Sequence, residues 1–430
     1  MKIKALLLIL LVSGTFVQAA EMKRQDLPSS ADNGAAVAVE KNQVEEIEDK
    51  PIPGGSQKSL LSFNPKQFYK DHFSIILGVS EEWDSNIFLE QDDEFDDFIT
   101  VVNPDVTMHF QNDWGYSEIE WIGRYSYFLD SDEITKSNSL SALGFARPND
   151  RLSFGTRASF EFTDDSEVAT VFGDRILLLG YNLISVQPQV KYRLSSRWVA
   201  DVSYTFDDIG VDDSTLDDDV DRRAHGISSN LEFEIAPTLF LIGGYGFRDT
   251  SYKEEEIKDS FSHLISGGFR KKFPSLFNVD FKATFHDKDF DTANDDSNVD
   301  LSAGITSTFS RYTTLIFNAA YGLQESSRGE FTQYTSTRFS FVLQHYLTPK
   351  TVLSLRASYE LQSFDTEDIL VTFITGHQET ELYYASIGVR RSILDWLSIE
   401  VGYSYQERDT DFEDEDLQDH IVKTGIKIYV

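Results

Sequence analysis

From residue 71 onward the chain alternates apolar and polar residues with a period of two, in runs of about ten, and this pattern constrains the fold more than any other feature. After Trp396, Leu397, Ile399, Val401, Tyr403 and Tyr405 fall on one face; Ser398, Glu400, Gly402, Ser404 and Gln406 fall on the other. Leu353, Leu355, Ala357, Tyr359 and Leu361 likewise oppose Ser354, Arg356, Ser358 and Glu360. Successive side chains of a strand point to opposite sides, so each run reads as a strand with one apolar face. A mid-strand charge such as Arg356 or Asp280 must then meet water. In a soluble sandwich that water is outside; in a membrane barrel it is inside.

The links between runs decide. Eighteen strands are predicted, starting near residues 72, 98, 115, 137, 151, 180, 197, 223, 238, 260, 275, 299, 312, 332, 350, 381, 396 and 417. Eight short links, such as 111–114, 236–238 and 394–396, alternate with nine long ones: 84–98, 130–136, 164–175, 207–221, 249–259, 287–300, 325–330, 365–381 and 407–419. Short turns on one side and long loops on the other mark an outer-membrane barrel. The predicted fold is all-β: a transmembrane antiparallel β-barrel of about 18 strands with short periplasmic turns and long acidic extracellular loops. It covers residues 71–430, and its even strand count returns both ends to the periplasm. Trp114, Trp198 and Trp396 fall at short turns, where an inner aromatic girdle belongs, and Trp83 at the outer rim. Pro104 and Pro188 fall inside predicted strands; each removes a ladder donor, which points to a bulge or a misplaced strand limit.

Residues 1–19 carry Lys2 and Lys4, an apolar run from Ala5 to Val12, and small residues before a cut after Ala19. This is the pattern of a secretory signal peptide. Residues 20–70 hold four Pro without periodicity and read as a disordered periplasmic linker. The chain has no Cys, which excludes a disulfide framework, a thiolate metal site, a thiol nucleophile and lipidation through Cys. The expected location is the outer membrane of a Gram-negative bacterium.

Charge is unevenly spread. The chain has 72 acidic and 38 basic residues, a formal net charge of −34. The nine long links hold 48 of the acidic and 7 of the basic residues, a net of −41, which leaves the remainder near +7. A nucleic-acid partner is excluded for want of a basic footprint. Clustered loop carboxylates, as in Asp217-Asp218-Asp219 and Glu413-Asp414-Glu415-Asp416, read as a solvated surface bridged to lipopolysaccharide phosphates by divalent ions, or as weaker calcium or magnesium sites. No resident cofactor and no dedicated metal site is expected.

The lumen-facing positions include Arg124, Arg157, Lys191, Arg193, Arg248, Arg270, Lys282, Arg338, Arg356, Arg390, Lys423 and Lys427. Against them stand Asp105, Glu118, Glu120, Glu161, Asp201, Glu232, Glu234, Asp280, Glu360 and Glu400. Two readings stay open: cross-strand pairs that hold the wall together, or a conduit lining for an anionic or sugar-rich solute. Catalysis is not expected. The eight His scatter over many strands and both ends, and no nucleophile, base and orienting group come together.

Glu82-Trp83-Asp84-Ser85-Asn86-Ile87-Phe88, followed by an acidic loop and Phe98 to Val106 with Pro104 inside it, resembles the outer-membrane β-barrel porins often encoded with exopolysaccharide biosynthesis and export machinery. The resemblance covers about residues 71–430 and makes Asp84, Ser85, Asn86 and Pro104 family-motif positions, with Asn86 and Pro104 fixing backbone rather than touching solute. It implies a conduit, or an accessory to one, for a secreted polysaccharide, with periplasmic export components as partners. The C-terminus, Lys423 to Val430, resembles the strand signal read by the barrel-insertion machinery, with Val430 where an aromatic is usual. The alternatives are a general or cation-preferring diffusion porin, or a structural or adhesive surface barrel.

Overall fold

The alternation folds as it must where one face meets lipid. The computed structural model describes residues 72–430 except 88–94, 132, 165–179, 212–220, 254–258, 274–276, 291–295, 327–332, 365–377 and 413–415. The expected signal peptide and linker lie outside the described residues, as do Asp217–Asp219 and Glu413–Glu415.

Eighteen strands follow in order: β1 (Phe73–Asp84), β2 (Asp97–Asn112), β3 (Gly115–Phe128), β4 (Ile134–Ala146), β5 (Leu152–Thr163), β6 (Tyr181–Arg193), β7 (Trp198–Val211), β8 (Arg222–Ala236), β9 (Leu239–Tyr252), β10 (Ser260–Phe273), β11 (Phe277–Phe290), β12 (Asp296–Ser310), β13 (Thr313–Glu325), β14 (Gln333–Thr348), β15 (Thr351–Phe364), β16 (Gln378–Leu394), β17 (Leu397–Thr410) and β18 (Leu417–Tyr429). Each pairs antiparallel with its sequence neighbours, and β1 also pairs with β18, so the sheet closes on itself without an edge. The closing seam runs in nine register pairs from Ile76↔Tyr429 to Asp84↔Ile421.

One face of this sheet is apolar yet exposed. Ile399, Val401 and Tyr403 on β17, Ile227 and Leu231 on β8 and Ile265 and Phe269 on β10 all point outward. An exposed apolar band that encircles the molecule is suited to hydrocarbon, and the polar face is left to line the interior.

Two expectations change. The strands run past the expected loop starts at 207, 249, 287 and 407, to Val211, Tyr252, Phe290 and Thr410. Charges such as Asp207, Asp208, Asp287 and Lys288 look like loop in a hydropathy reading, but ladder hydrogen bonds continue in water once the hairpin is aligned. The prolines also do not make bulges. The β2–β3 register is the same on both sides of Pro104, and the β6–β7 register on both sides of Pro188; each ladder only skips the proline's own pairs. The missing donor therefore costs a local gap and no shift. Register shifts occur instead beside short turns, at Glu234/Ala236, Thr308/Ser310, Tyr346/Thr348 and Ser392/Leu394.

Candidate functional site

Register fixes which charges share a surface, because directly opposed residues point to the same side of a sheet. Following the pairs around the barrel puts Arg124, Arg157, Lys191, Arg193, Arg248, Arg270, Lys282, Arg338, Arg356, Arg390, Glu120, Glu161, Asp201, Glu232, Asp280, Glu360 and Glu400 on the inner face. Between them the wall is made of small hydroxyls and glycines, among them Ser141, Ser159, Ser203, Ser228, Ser340, Gly388 and Gly402.

Many of the charges are held by one another. Glu82 lies between Arg124 at 3.0 Å and Lys423 at 3.2 Å; Lys423 continues to Glu400 at 3.7 Å, and Glu400 to Lys427 at 3.3 Å. This chain of alternating sign crosses the β1–β18 seam. Arg338 grips Glu360 through two nitrogens at 2.6 and 2.7 Å, and Ser336 donates to the same carboxylate at 2.8 Å. Arg270 meets Glu232 at 3.4 Å and Arg248 meets Asp207 at 3.8 Å. Asp201 accepts from Gln189 and Asn230 at 3.2 and 3.1 Å. Among the described residues, Arg157, Lys191, Lys282 and Arg390 make no ion pair. All four sit in the half of their strands nearer the short turns.

The motif positions act at the outer end of the seam. The Asn86 N–H donates to Asp84 Oδ1 at 2.9 Å, which turns the chain after β1. The Ser85 hydroxyl donates to Asp419 at 3.1 Å and accepts from the His420 N–H at 2.8 Å. Asn86 Nδ2 donates to the Gln418 carbonyl at 3.3 Å. Pro104 faces lipid, packed against Gly123, where an added Cβ would stand 3.1 Å from the proline ring.

The inner wall is not uniform along its axis. Near the end of the strands that joins the long links, buried inner-face residues recur around the barrel, among them Asp84, Val101, Ser126, Thr135, Thr163, Tyr181, Ile209, Ala224, Thr250, Ser262, Lys288, Gly322, Ser336, Gln362, Thr380, Arg408 and Asp419. The inner-face residues Asn298 and Asp300 on β12 and Gln324 on β13 keep solvent exposure. Below this ring the inner positions are mostly half-exposed.

The histidines settle into wall positions rather than into one centre. Tyr204 and His225, Tyr245 and His263, and Tyr403 and His420 are hydrogen-bonded at 2.8, 2.7 and 2.8 Å on the lipid face. Each histidine stands opposite a second aromatic, Phe206, Phe247 or Tyr405. Sequence reading missed this cassette, although its signal is there: Tyr-x-aromatic on one strand and His-x-Ile or His-x-Val on the next. His72 bonds the His109 carbonyl at 2.9 Å, His345 bonds Thr313 at 2.9 Å, and His286 lies 3.5 Å from Asp300. His377 lies outside the described residues.

Residues 191–429 match the protein family described as “Putative beta-barrel porin 2”. No curated protein matches the sequence. Among solved structures, the chain is similar to Pseudomonas aeruginosa OccK2 (OpdF) in complex with glucuronate, at 10% identity over 83% of this chain and 98% of that one, with a TM-score of 0.45. It is also similar to Pseudomonas aeruginosa OpdK with vanillate, at 9% identity over 83% and 99%, with a TM-score of 0.43. The siderophore receptor PirA from Pseudomonas aeruginosa gives 8% identity over 84% and 80%, with a TM-score of 0.43.

Proposed function

Because this chain belongs to that β-barrel porin family, which its match over residues 191–429 establishes, we propose that it is an outer-membrane diffusion channel for small hydrophilic solutes. The observation that carries the reading is the inner face of the closed 18-stranded barrel, hydroxyl- and glycine-rich and bearing charges of both signs. A barrel of this strand number has room for an aqueous lumen. The seventeen charged positions named above line that lumen. Those in pairs hold the wall, and the unpaired Arg157, Lys191, Lys282 and Arg390 present charge to a passing solute. The acidic outer loops favour cations at the mouth. No step of this reading calls for catalysis or a resident cofactor. The same reading has β18 recognised by the insertion machinery, and loop carboxylates bridged to lipopolysaccharide phosphates by divalent ions.

The test is conductance of the purified protein in planar bilayers. Stepwise openings are expected; a protein closed under every voltage and salt tried would sink the channel reading. The polysaccharide-export role rests on the resemblance around Asp84-Ser85-Asn86 and Pro104 and is separable. Deleting the gene and measuring secreted polysaccharide would support it only if secretion falls while small-solute uptake is retained.

A further inference from the structure

A recess of about 170 Å³ lies in the inner wall where β11 to β14 run side by side, lined by Thr284, Asp300, Ser302, Gln324, Ser336 and Arg338. Its floor is β13, which supplies Ala320 and Gly322 to the inner face there, with Gln324 next along the strand. Asp300 on β12 and Arg338 on β14 stand on either side, two strand spacings or about 10 Å apart. At its lower edge the Asp280 carboxylate lies over Gly304, where an added Cβ would come within 2.7 Å of it.

Two independent observations meet here. The recess lies beside the inner-face residues Asn298, Asp300 and Gln324 of β12 and β13, which keep solvent exposure. The charged groups that line the recess also already have partners. Glu360 holds Arg338 through Nε and one terminal nitrogen, and Asp300 accepts the Leu323 N–H at 3.0 Å. What remains to be offered is hydrogen bonding: the second terminal nitrogen of Arg338, the Ser302 and Thr284 hydroxyls and the Gln324 carbonyl. A neutral solute rich in hydroxyls matches that set, whereas an ion pairing with Arg338 or Asp300 would have to displace an existing partner.

We propose that this recess is a solute-binding subsite for a neutral, hydroxyl-rich molecule of monosaccharide size. The proposal rests on the channel reading and narrows it. The test compares Ala320→Trp, which fills the recess, with Ser159→Trp, which puts the same bulk on the inner face of β5, away from it. Both are assayed for KCl conductance in bilayers and for uptake of glucose, gluconate and glucosamine by proteoliposomes. The expected result is glucose uptake slowed about fivefold or more by Ala320→Trp and less than about twofold by Ser159→Trp, with both variants conducting KCl alike. Equal slowing by both would mean that only bore width matters and would overturn the subsite. So would a wild-type protein that conducts KCl while Ala320→Trp leaves glucose uptake unchanged. Stronger dependence of gluconate or glucosamine than of glucose on Ala320 would overturn the neutral class. A wild-type protein that conducts nothing would instead overturn the channel reading itself.

Discussion

The Ser85 hydroxyl works in both directions across the seam, donating to Asp419 and accepting from the His420 N–H. Its partners are more than three hundred positions away in sequence, which is why the Asp-Ser-Asn element was legible as a motif but its task was not. Ser85→Ala leaves a buried carboxylate and a backbone donor each short of a partner. We expect a loss of about 1 to 2 kcal/mol, read as a lower urea midpoint in detergent micelles. An unchanged midpoint would mean that water replaces the hydroxyl. One turn of the pleat below, Glu82 holds Arg124 and Lys423 together with a side chain only 5% exposed. Glu82→Gln sets two cations facing each other over a neutral amide, and about 3 kcal/mol of destabilisation is expected. Adding Arg124→Gln should recover part of it, because one of the stranded charges is then gone. If the double variant is no better than the single one, Glu82 acts through something other than this ionic chain.

At the level of the strand, the period-two pattern located every strand start to within three residues. The largest departures, at Ile134, Asp296 and Gln378, all lie at extracellular ends. There the sequence is polar on both faces, as in Asp296-Ser-Asn, so alternation has nothing to alternate between; only the partner strand defines the element. The prolines were misjudged for a related reason. Losing one ladder donor is a local matter when the neighbouring strand on the other side still holds register, as β1 does for Pro104 through Leu77. The accommodation is visible on the lipid face, where Gly123 leaves room for the proline ring between Trp121 and Tyr125. A Cβ at residue 123 would stand 3.0 to 3.3 Å from all three rings. Gly123→Val is therefore expected to destabilise the barrel by about 1 to 3 kcal/mol through overpacking. The check is its unfolding midpoint beside that of Gly243→Val, where an added Cβ meets nothing within 4 Å. Equal effects at the two sites would leave strand propensity, not crowding, as the cause.

For the whole molecule, the question is which charges govern permeation. Among the described residues the inner wall carries four cations without an ion-pair partner, Arg157, Lys191, Lys282 and Arg390, all in the half nearer the short turns, while the long links carry a net of −41. The long links all join strands at the same end of the barrel, by the strand order. Mouth charge should therefore outweigh lumen charge at low salt, giving a cation preference. In about 0.1 M KCl the Debye length is about 10 Å, and loop carboxylates still act across the opening; at about 1 M it is about 3 Å, and they do not. The reversal potential under a KCl gradient should thus indicate cation preference at low salt and approach neutrality, or pass to weak anion preference, at high salt. Replacing Asp217, Asp218 and Asp219 together by Asn should reduce the low-salt preference and leave the high-salt value unchanged. Replacing Lys282 by Gln should do the reverse, since its charge acts within the lumen at short range. A preference that is the same at both salt concentrations would assign selectivity to the wall and remove the acidic loops from the permeation path.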